Sequence, residues 1–179
     1  MTRRIVVLPF LCLALLAMMP ARAEAQIDLL PRLTITGGYQ YLLDKSWEDG
    51  KKFDKGWMAA VAYKIGEITA VVAEGSGSYG KLAGTQWTVE RYAVLGGIKF
   101  QIGGEGPRPF VQFMGGLSRQ AGDVGVVNGL LVQPGGGVDL PFGERLSVRV
   151  FADYRLLREE GTRYNQYRVG GAVVWVLIR

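Results

Sequence analysis

The chain has 179 residues, 49 % of them hydrophobic and 21 % charged, a balance that excludes an intrinsically disordered protein and fills one domain rather than two. Its formal charge of +5, from 21 bases and 16 acids, is mild and dispersed, which argues against nucleic-acid binding. There is no histidine, there is one cysteine, and the 26 glycines exceed what a soluble domain carries.

Residues 1–25 read as a secretory signal peptide. Arg3 and Arg4 precede an apolar run from Ile5 to Met19, Pro20 ends it, and Ala21, Ala23 and Ala25 supply small residues for cleavage. The run is shorter than the ~20 residues a helix needs to cross a bilayer. Cys12 lies inside it, so the mature chain has no disulfide and no thiolate chemistry. Cleavage also removes Arg3, Arg4, Arg22 and Glu24, three bases and one acid, and lowers the net charge to +3. A short segment, 26–32, then leads into a single domain over 33–179.

No window of the mature chain shows the i, i+3, i+4, i+7 apolar face of a helix. Eight runs instead predict strands: Leu33–Leu43, Gly56–Ile65, Ile68–Tyr79, Thr88–Ile102, Pro109–Arg119, Leu130–Phe142, Leu146–Leu157 and Gln166–Ile178. Their lengths suit tilted transmembrane strands, which need ~9–11 residues. They alternate. In the seventh, Val148, Val150, Ala152, Tyr154 and Leu156 share one face, and Ser147, Arg149, Phe151, Asp153 and Arg155 share the other. The connections alternate too. Asp44–Lys55, Gly80–Trp87, Gln120–Gly129 and Arg158–Asn165 are the longer set; Gly66-Glu67, Gly103–Arg108 and Gly143–Arg145 are tight. Outer-membrane barrels have long external loops and short periplasmic turns, and an even strand count puts both termini at the periplasmic end.

Alternation alone does not say which face is inside. A soluble lipocalin-like barrel would turn the apolar face inward around a ligand. Two features favour the membrane version. The charged face is crowded with Gly and Ala, which suits a cramped interior. The apolar-face aromatics Tyr39, Tyr41, Trp57, Tyr79, Tyr92, Phe100, Phe142, Tyr154, Tyr167 and Trp175 lie toward strand ends, as in interfacial girdles. Five double glycines, at 37–38, 96–97, 115–116, 136–137 and 170–171, then read as a steric device that lets strands coil and leaves room for long side chains such as Arg149.

The segment Val132–Leu157, VQPGGGVDLPFGERLSVRVFADYRLL, resembles the penultimate hairpin of the outer-membrane β-barrel domain family, the small eight-stranded barrels related to the OmpA transmembrane domain, OmpX and the opacity proteins. The closing strand, Arg168 to Trp175, is similar to a barrel-assembly signal, although the chain ends Ile178-Arg179 rather than on an aromatic residue. The resemblance implies an all-β, eight-stranded, antiparallel up-and-down transmembrane barrel. It also implies a monomer without cofactor, set among outer-membrane lipid and lipopolysaccharide and delivered by the assembly machinery through its last strand.

In that arrangement the interior holds Glu74, Asp139 and Asp153 against Lys64, Arg91, Lys99, Arg149, Arg155 and Arg168. A three-residue turn at 143–145 pairs Phe142 with Leu146 and sets Asp139 opposite Arg149. Charges withdrawn from water need partners, so these groups read as a polar plug, with a selectivity lining as the alternative.

Catalysis finds little support. Without histidine there is no ordinary general base, and Ser76 and Ser78 near Lys81 are a weak constellation. No phosphate-binding loop is present, and a metal site without His or Cys is unexpected. Glu159-Glu160 and Asp44, Glu48, Asp49 and Asp54 read as solvated loop charge. Loop 44–55 carries Trp47 and Phe53 among charges, and exposed aromatics there suit contact with an extracellular partner or lipopolysaccharide. The expectation is a non-enzymatic barrel with a structural or surface-interaction role; the alternative is a narrow channel for ions or small solutes.

Overall fold

A computed structural model describes residues 32–44, 51–53, 55–81, 88–103, 106–122, 125–159 and 161–178. The signal-peptide segment 1–25, Trp47 and Glu160 lie outside these residues. Among them are nine strands: β1 (Leu33–Asp44), β2 (Lys51–Phe53), β3 (Lys55–Lys64), β4 (Thr69–Lys81), β5 (Thr88–Gln101), β6 (Arg108–Gly122), β7 (Gly125–Phe142), β8 (Leu146–Glu159) and β9 (Thr162–Ile178). All pairings are antiparallel between sequence neighbours, and β9 returns to β1, so the sheet closes. Strands β2 and β3 both pair with β1 and form two parts of one stave, giving an eight-stranded barrel.

One circuit of the pairings, out from Leu33 through Tyr63 and Val71 and back through Tyr167, returns to β1 ten residues along, at Leu43. A stagger of that size tilts the strands steeply, on the order of 35–45°, and leaves an interior just wide enough for side chains.

Period-2 alternation places one set of side chains inside and the other outside. The burial pattern of β8 is strict: Ser147, Arg149, Phe151, Asp153, Arg155, Leu157 and Glu159 are buried, while Val148, Val150, Ala152, Leu156 and Arg158 are exposed. Arg168, Arg155, Gln40 and Gln166 are almost wholly buried, while Phe142 and Val94 are 78 % and 70 % exposed. Water would not leave apolar side chains out and ionic ones in on this scale; a hydrocarbon surround would. This overturns the soluble ligand-binding alternative, because the apolar face is the outer one. All ten aromatics expected on the apolar face point outward or lie at the surface, and Tyr63 and Phe113 join them.

In four of the five double glycines the inner member alone is constrained; in the pair 136–137 both are, Gly136 against the Phe110 carbonyl and Gly137 against that of Val150. A Cβ on Gly97 would strike the backbone of Phe113 and Met114, and one on Gly116 would strike Val94 and Leu95. Their outward neighbours Gly96 and Gly115 have room. The steric cause is therefore mostly backbone of the adjacent strand. Only some inner glycines make way for side chains, as Gly135 does for Asp153 and Gly170 for the Phe151 ring. Arg149 instead lies between Asp139 and Ala172.

Two sequence expectations change. The predicted long connections 120–129 and 158–165 are largely strand: Gly125–Gly129 pairs with Ser118–Gly122, and Arg158–Glu159 pairs with Thr162–Arg163. Chain ends of hairpins are polar and Gly-rich, and they read as loop, but each hydrogen-bonded residue added to a hairpin satisfies backbone groups that its neighbour already presents. Segment 51–53, expected in an exposed loop, is strand paired with Leu42–Asp44.

Candidate functional site

The barrel interior is the best-defined assembly of polar groups, and it forms three layers. At mid-depth, Arg168 on β9 donates through both Nη atoms to the Glu74 carboxylate on β4, Nη2 at 3.0 Å, and through Nε to Asp153 Oδ2 on β8 at 2.7 Å. Its Nη1 also donates to Gln40 Oε1 at 2.9 Å. Gln112 Nε2 donates to the second Asp153 oxygen at 2.9 Å. Arg155 is 3.7 Å from Glu74 and donates to Gln133 Oε1 at 2.6 Å and Ser76 Oγ at 3.1 Å. Two guanidinium groups thus share two carboxylates, with amides and hydroxyls filling the remaining sites. Buried charge is tolerated when its hydrogen-bonding capacity is met in this way.

At the end with the short turns, Arg149 Nε and Nη2 grip Asp139 at 2.6 and 2.9 Å. The pairing Phe142↔Leu146 places Asp139 directly opposite Arg149. Gln101 Nε2 donates to Asp139 Oδ2 at 2.8 Å, and Lys99 Nζ donates to Gln101 Oε1 at 3.1 Å. Both cations lie over the Phe110 ring, the Arg149 guanidinium 4.6 Å and Lys99 Nζ 5.6 Å from its centroid. Lys64 stands half-buried at the rim of this layer.

At the opposite end, Arg91 donates to Gln120 and lies 3.9 Å from Glu159. Leu42, Phe53 and Val89 form an apolar cluster there, with the Arg91 guanidinium 5.7 Å over the Phe53 ring. Phe53 is fully buried, which corrects its reading as an exposed loop aromatic. The cause is a register change. Between the pairs Tyr39↔Trp57 and Leu42↔Phe53, β1 has two intervening residues and its partner has three. The extra residue is a bulge, and it turns Phe53 inward where strict alternation would point it out. Glu159 is likewise buried on the inner face of β8 rather than part of a solvated acid cluster.

Of the nine charged residues expected inside, the structure gathers Glu74, Asp153, Arg155 and Arg168 at mid-depth, Lys99, Asp139 and Arg149 at the turn end with Lys64 at its rim, and Arg91 at the loop end. Sequence reasoning passed over the bridging groups Gln40, Gln101, Gln112, Gln133 and Ser76. Their signal was parity: each shares the inward face of its strand. Ser76 and Ser78 accept hydrogen bonds from Arg155 and Gln40, so their hydroxyls belong to the network.

An apolar exterior, an ion-paired interior and a closed eight-stranded sheet together define a small transmembrane β-barrel of the outer-membrane type. Solved structures share this fold. Neisserial surface protein A superposes with a TM-score of 0.71 at 10 % identity, over 81 % of this chain and 97 % of that one. Ail, the attachment invasion locus protein of Yersinia pestis, gives 0.51 at 11 % identity, over 82 % and 100 %. The N-terminal β-barrel domain of Pseudomonas aeruginosa OprF gives 0.51 at 12 % identity, over 81 % and 98 %. No protein-family model matches the sequence, and no curated protein matches it either.

Proposed function

We propose that this chain is exported by signal peptide 1–25 to the bacterial outer membrane and acts there, without catalysis, through its loop end as a surface-interaction protein. The observation that carries the reading is the division of the molecule into a sealed shaft and projecting hairpins. Three polar layers and an apolar cap fill the interior. Strands β6, β7 and β9 run 15, 18 and 17 residues, well beyond the ~9–11 that cross a bilayer. Past the outer aromatics Trp57, Tyr154 and Tyr167, the exterior changes character to exposed Lys55, Arg119, Arg158 and Arg163. Such a rim meets anionic surfaces, including the phosphates of lipopolysaccharide. Similar barrels include a Neisserial surface protein and an attachment invasion protein.

Cells displaying the protein are expected to adhere to an extracellular-matrix-coated surface more than cells without it. Replacing residues 45–50 with a Gly-Ser linker, while keeping Lys51–Phe53 so that the interior cap stays seated, is expected to reduce that adhesion. Adhesion unchanged by the replacement removes the loop from the interaction.

A second reading is a narrow path for anions. Among the described residues, the buried charged side chains are five bases (Arg91, Lys99, Arg149, Arg155, Arg168) and four acids (Glu74, Asp139, Asp153, Glu159). A small cavity lined by Glu74, Gln112, Arg149 and Arg168 also lies between the mid-depth and turn-end layers.

A further inference from the structure

Two features of the outer surface meet on the staves β7 to β9. The first is a pair of arginines at the loop end. Arg158 on β8 stands directly opposite Arg163 on β9, and both face outward and are exposed. Side chains placed so have Cβ atoms about 4.5–5.5 Å apart, and like charges there destabilise the sheet. Among the described residues neither arginine has an ion pair or a hydrogen bond. Arg119 on β6, opposite Asn128 of β7, extends the same basic rim.

The second feature is an apolar groove of about 610 Å³ further down the same staves, lined by Gly136, Val138, Val150, Ala152 and Val169. Register explains it. Gly136 lies opposite Ala152, and Ala152 opposite Val169, so two of the three outward side chains in that row are a hydrogen and a methyl, and the valines rise above them. A gap in a hydrocarbon-facing wall forfeits dispersion contacts until a chain fills it. A methylene takes up about as much volume as a water molecule, ~30 Å³, so the space suits one hydrocarbon chain. Six residues of β8 separate Arg158 from Ala152, a span of about 20 Å and the reach of an extended acyl chain. Between them Tyr154 and Tyr167 pack at 5.2 Å, amphipathic rings of the kind found where acyl tails give way to headgroups.

Charge distinguishes this face from the opposite one. Staves β3 to β5 also carry small outward residues, Ala59, Ala73 and Gly96, but Lys55 and Glu90 flank Tyr79 at their rim, and Glu90 accepts from Tyr92 Oη at 2.9 Å. That rim is balanced, whereas the one above the groove carries arginines and, among the described residues, no outward carboxylate. A second copy of the chain docked there isologously would bring arginine pairs together; an anionic lipid neutralises them.

We propose that staves β7 to β9 bind one molecule of lipid A, its phosphates held by Arg158 and Arg163 and one acyl chain seated in the groove. Guanidinium forks bond phosphate oxygens bidentately and stay charged throughout the physiological range. The inference rests on the reading that the loop end faces the cell surface, where lipopolysaccharide lies, and it names the partner of that rim.

The test is native mass spectrometry of the protein refolded in a nonionic detergent and titrated with purified diphosphoryl lipid A. One saturable lipid A per barrel is expected, with phosphatidylglycerol binding severalfold more weakly. Arg158→Gln combined with Arg163→Gln is expected to weaken lipid A binding by about tenfold, the loss of one charged hydrogen bond. Ala152→Phe fills the groove from the lipid side and is expected to weaken binding severalfold while heat-modifiable gel mobility is kept; Ala152→Leu is the milder substitution with the same expected direction. Lys55→Gln combined with Ala73→Phe, the matching changes on the opposite staves, should leave binding unchanged. Absence of saturable binding, equal binding of phosphatidylglycerol, or equal losses from the two sets of variants overturns the proposal. Fractionation of the producing cells keeps the two readings apart: protein missing from the outer membrane fails the placement, whereas protein found there without saturable lipid A binding fails this site alone.

Discussion

Glu74 receives Arg168 through both oxygens and has Arg155 within 3.7 Å, so it is the residue on which the mid-depth layer converges. Replacing it with Gln keeps the volume and removes the charge. Two guanidinium groups are then left under-compensated in a buried layer, and breaking a buried pair from one side costs about 3–5 kcal/mol. Glu74→Gln should therefore lower the unfolding free energy, read from urea titration of the protein refolded in lipid vesicles, by that amount. Lys64→Gln at the half-buried rim should cost less than about 1 kcal/mol; equal effects from the two would show that the layer is not held by its ion pairs. The inward face of each strand was readable from parity, which is why Glu74, Asp153 and Arg168 could be named as interior residues. Which acid meets which base was readable only for Asp139 and Arg149, since a tight turn fixes their register locally. The Glu74–Arg168 contact joins residues 94 apart in sequence, and nothing local encodes it.

At the scale of the element, alternation predicted most of the strands, but two devices escaped it. One is the bulge between β2 and β3, which turns Phe53 into the cap. The other is the asymmetry within the double glycines. Here the prediction is a contrast between neighbours. Gly97→Ala drives a methyl into the backbone of β6 and should cost about 1–3 kcal/mol, whereas Gly96→Ala has space and should be neutral or stabilising by a few tenths, through a less flexible unfolded chain. The loss of heat-modifiable gel mobility with temperature would report both, and similar melting of the two variants would refute the close-approach account. The glycine pairs are visible in sequence. Which member of each is obligatory depends on how closely the neighbouring strand passes. The turn at Gly143 is simpler: its φ of +78° lies in the left-handed region, and Gly there is legible from the sequence as a turn residue.

For the whole molecule, the arrangement predicts a transport phenotype as much as a stability. The mid-depth ion pairs and the Leu42–Phe53–Val89 cap block the shaft in succession. The purified protein in a planar bilayer is accordingly expected to show no large, steady conductance. Sustained openings in the unmodified protein would favour the anion-path reading over the sealed one. A combined Phe53→Ala, Glu74→Gln variant is the one expected to admit current, because it removes the capping ring and unties the ion pairs that hold Arg155 and Arg168 across the shaft. What the sequence determined by itself was the class of architecture: strand period, strand number and the absence of histidine are all local or compositional properties. What only the tertiary structure decided was how the shaft is filled. Closure of the sheet with its ten-residue stagger is a global condition, and it brings β4, β8 and β9 to one depth. The ion pairs among Glu74, Asp153, Arg155 and Arg168 follow from that convergence of distant strands, which no window of sequence contains.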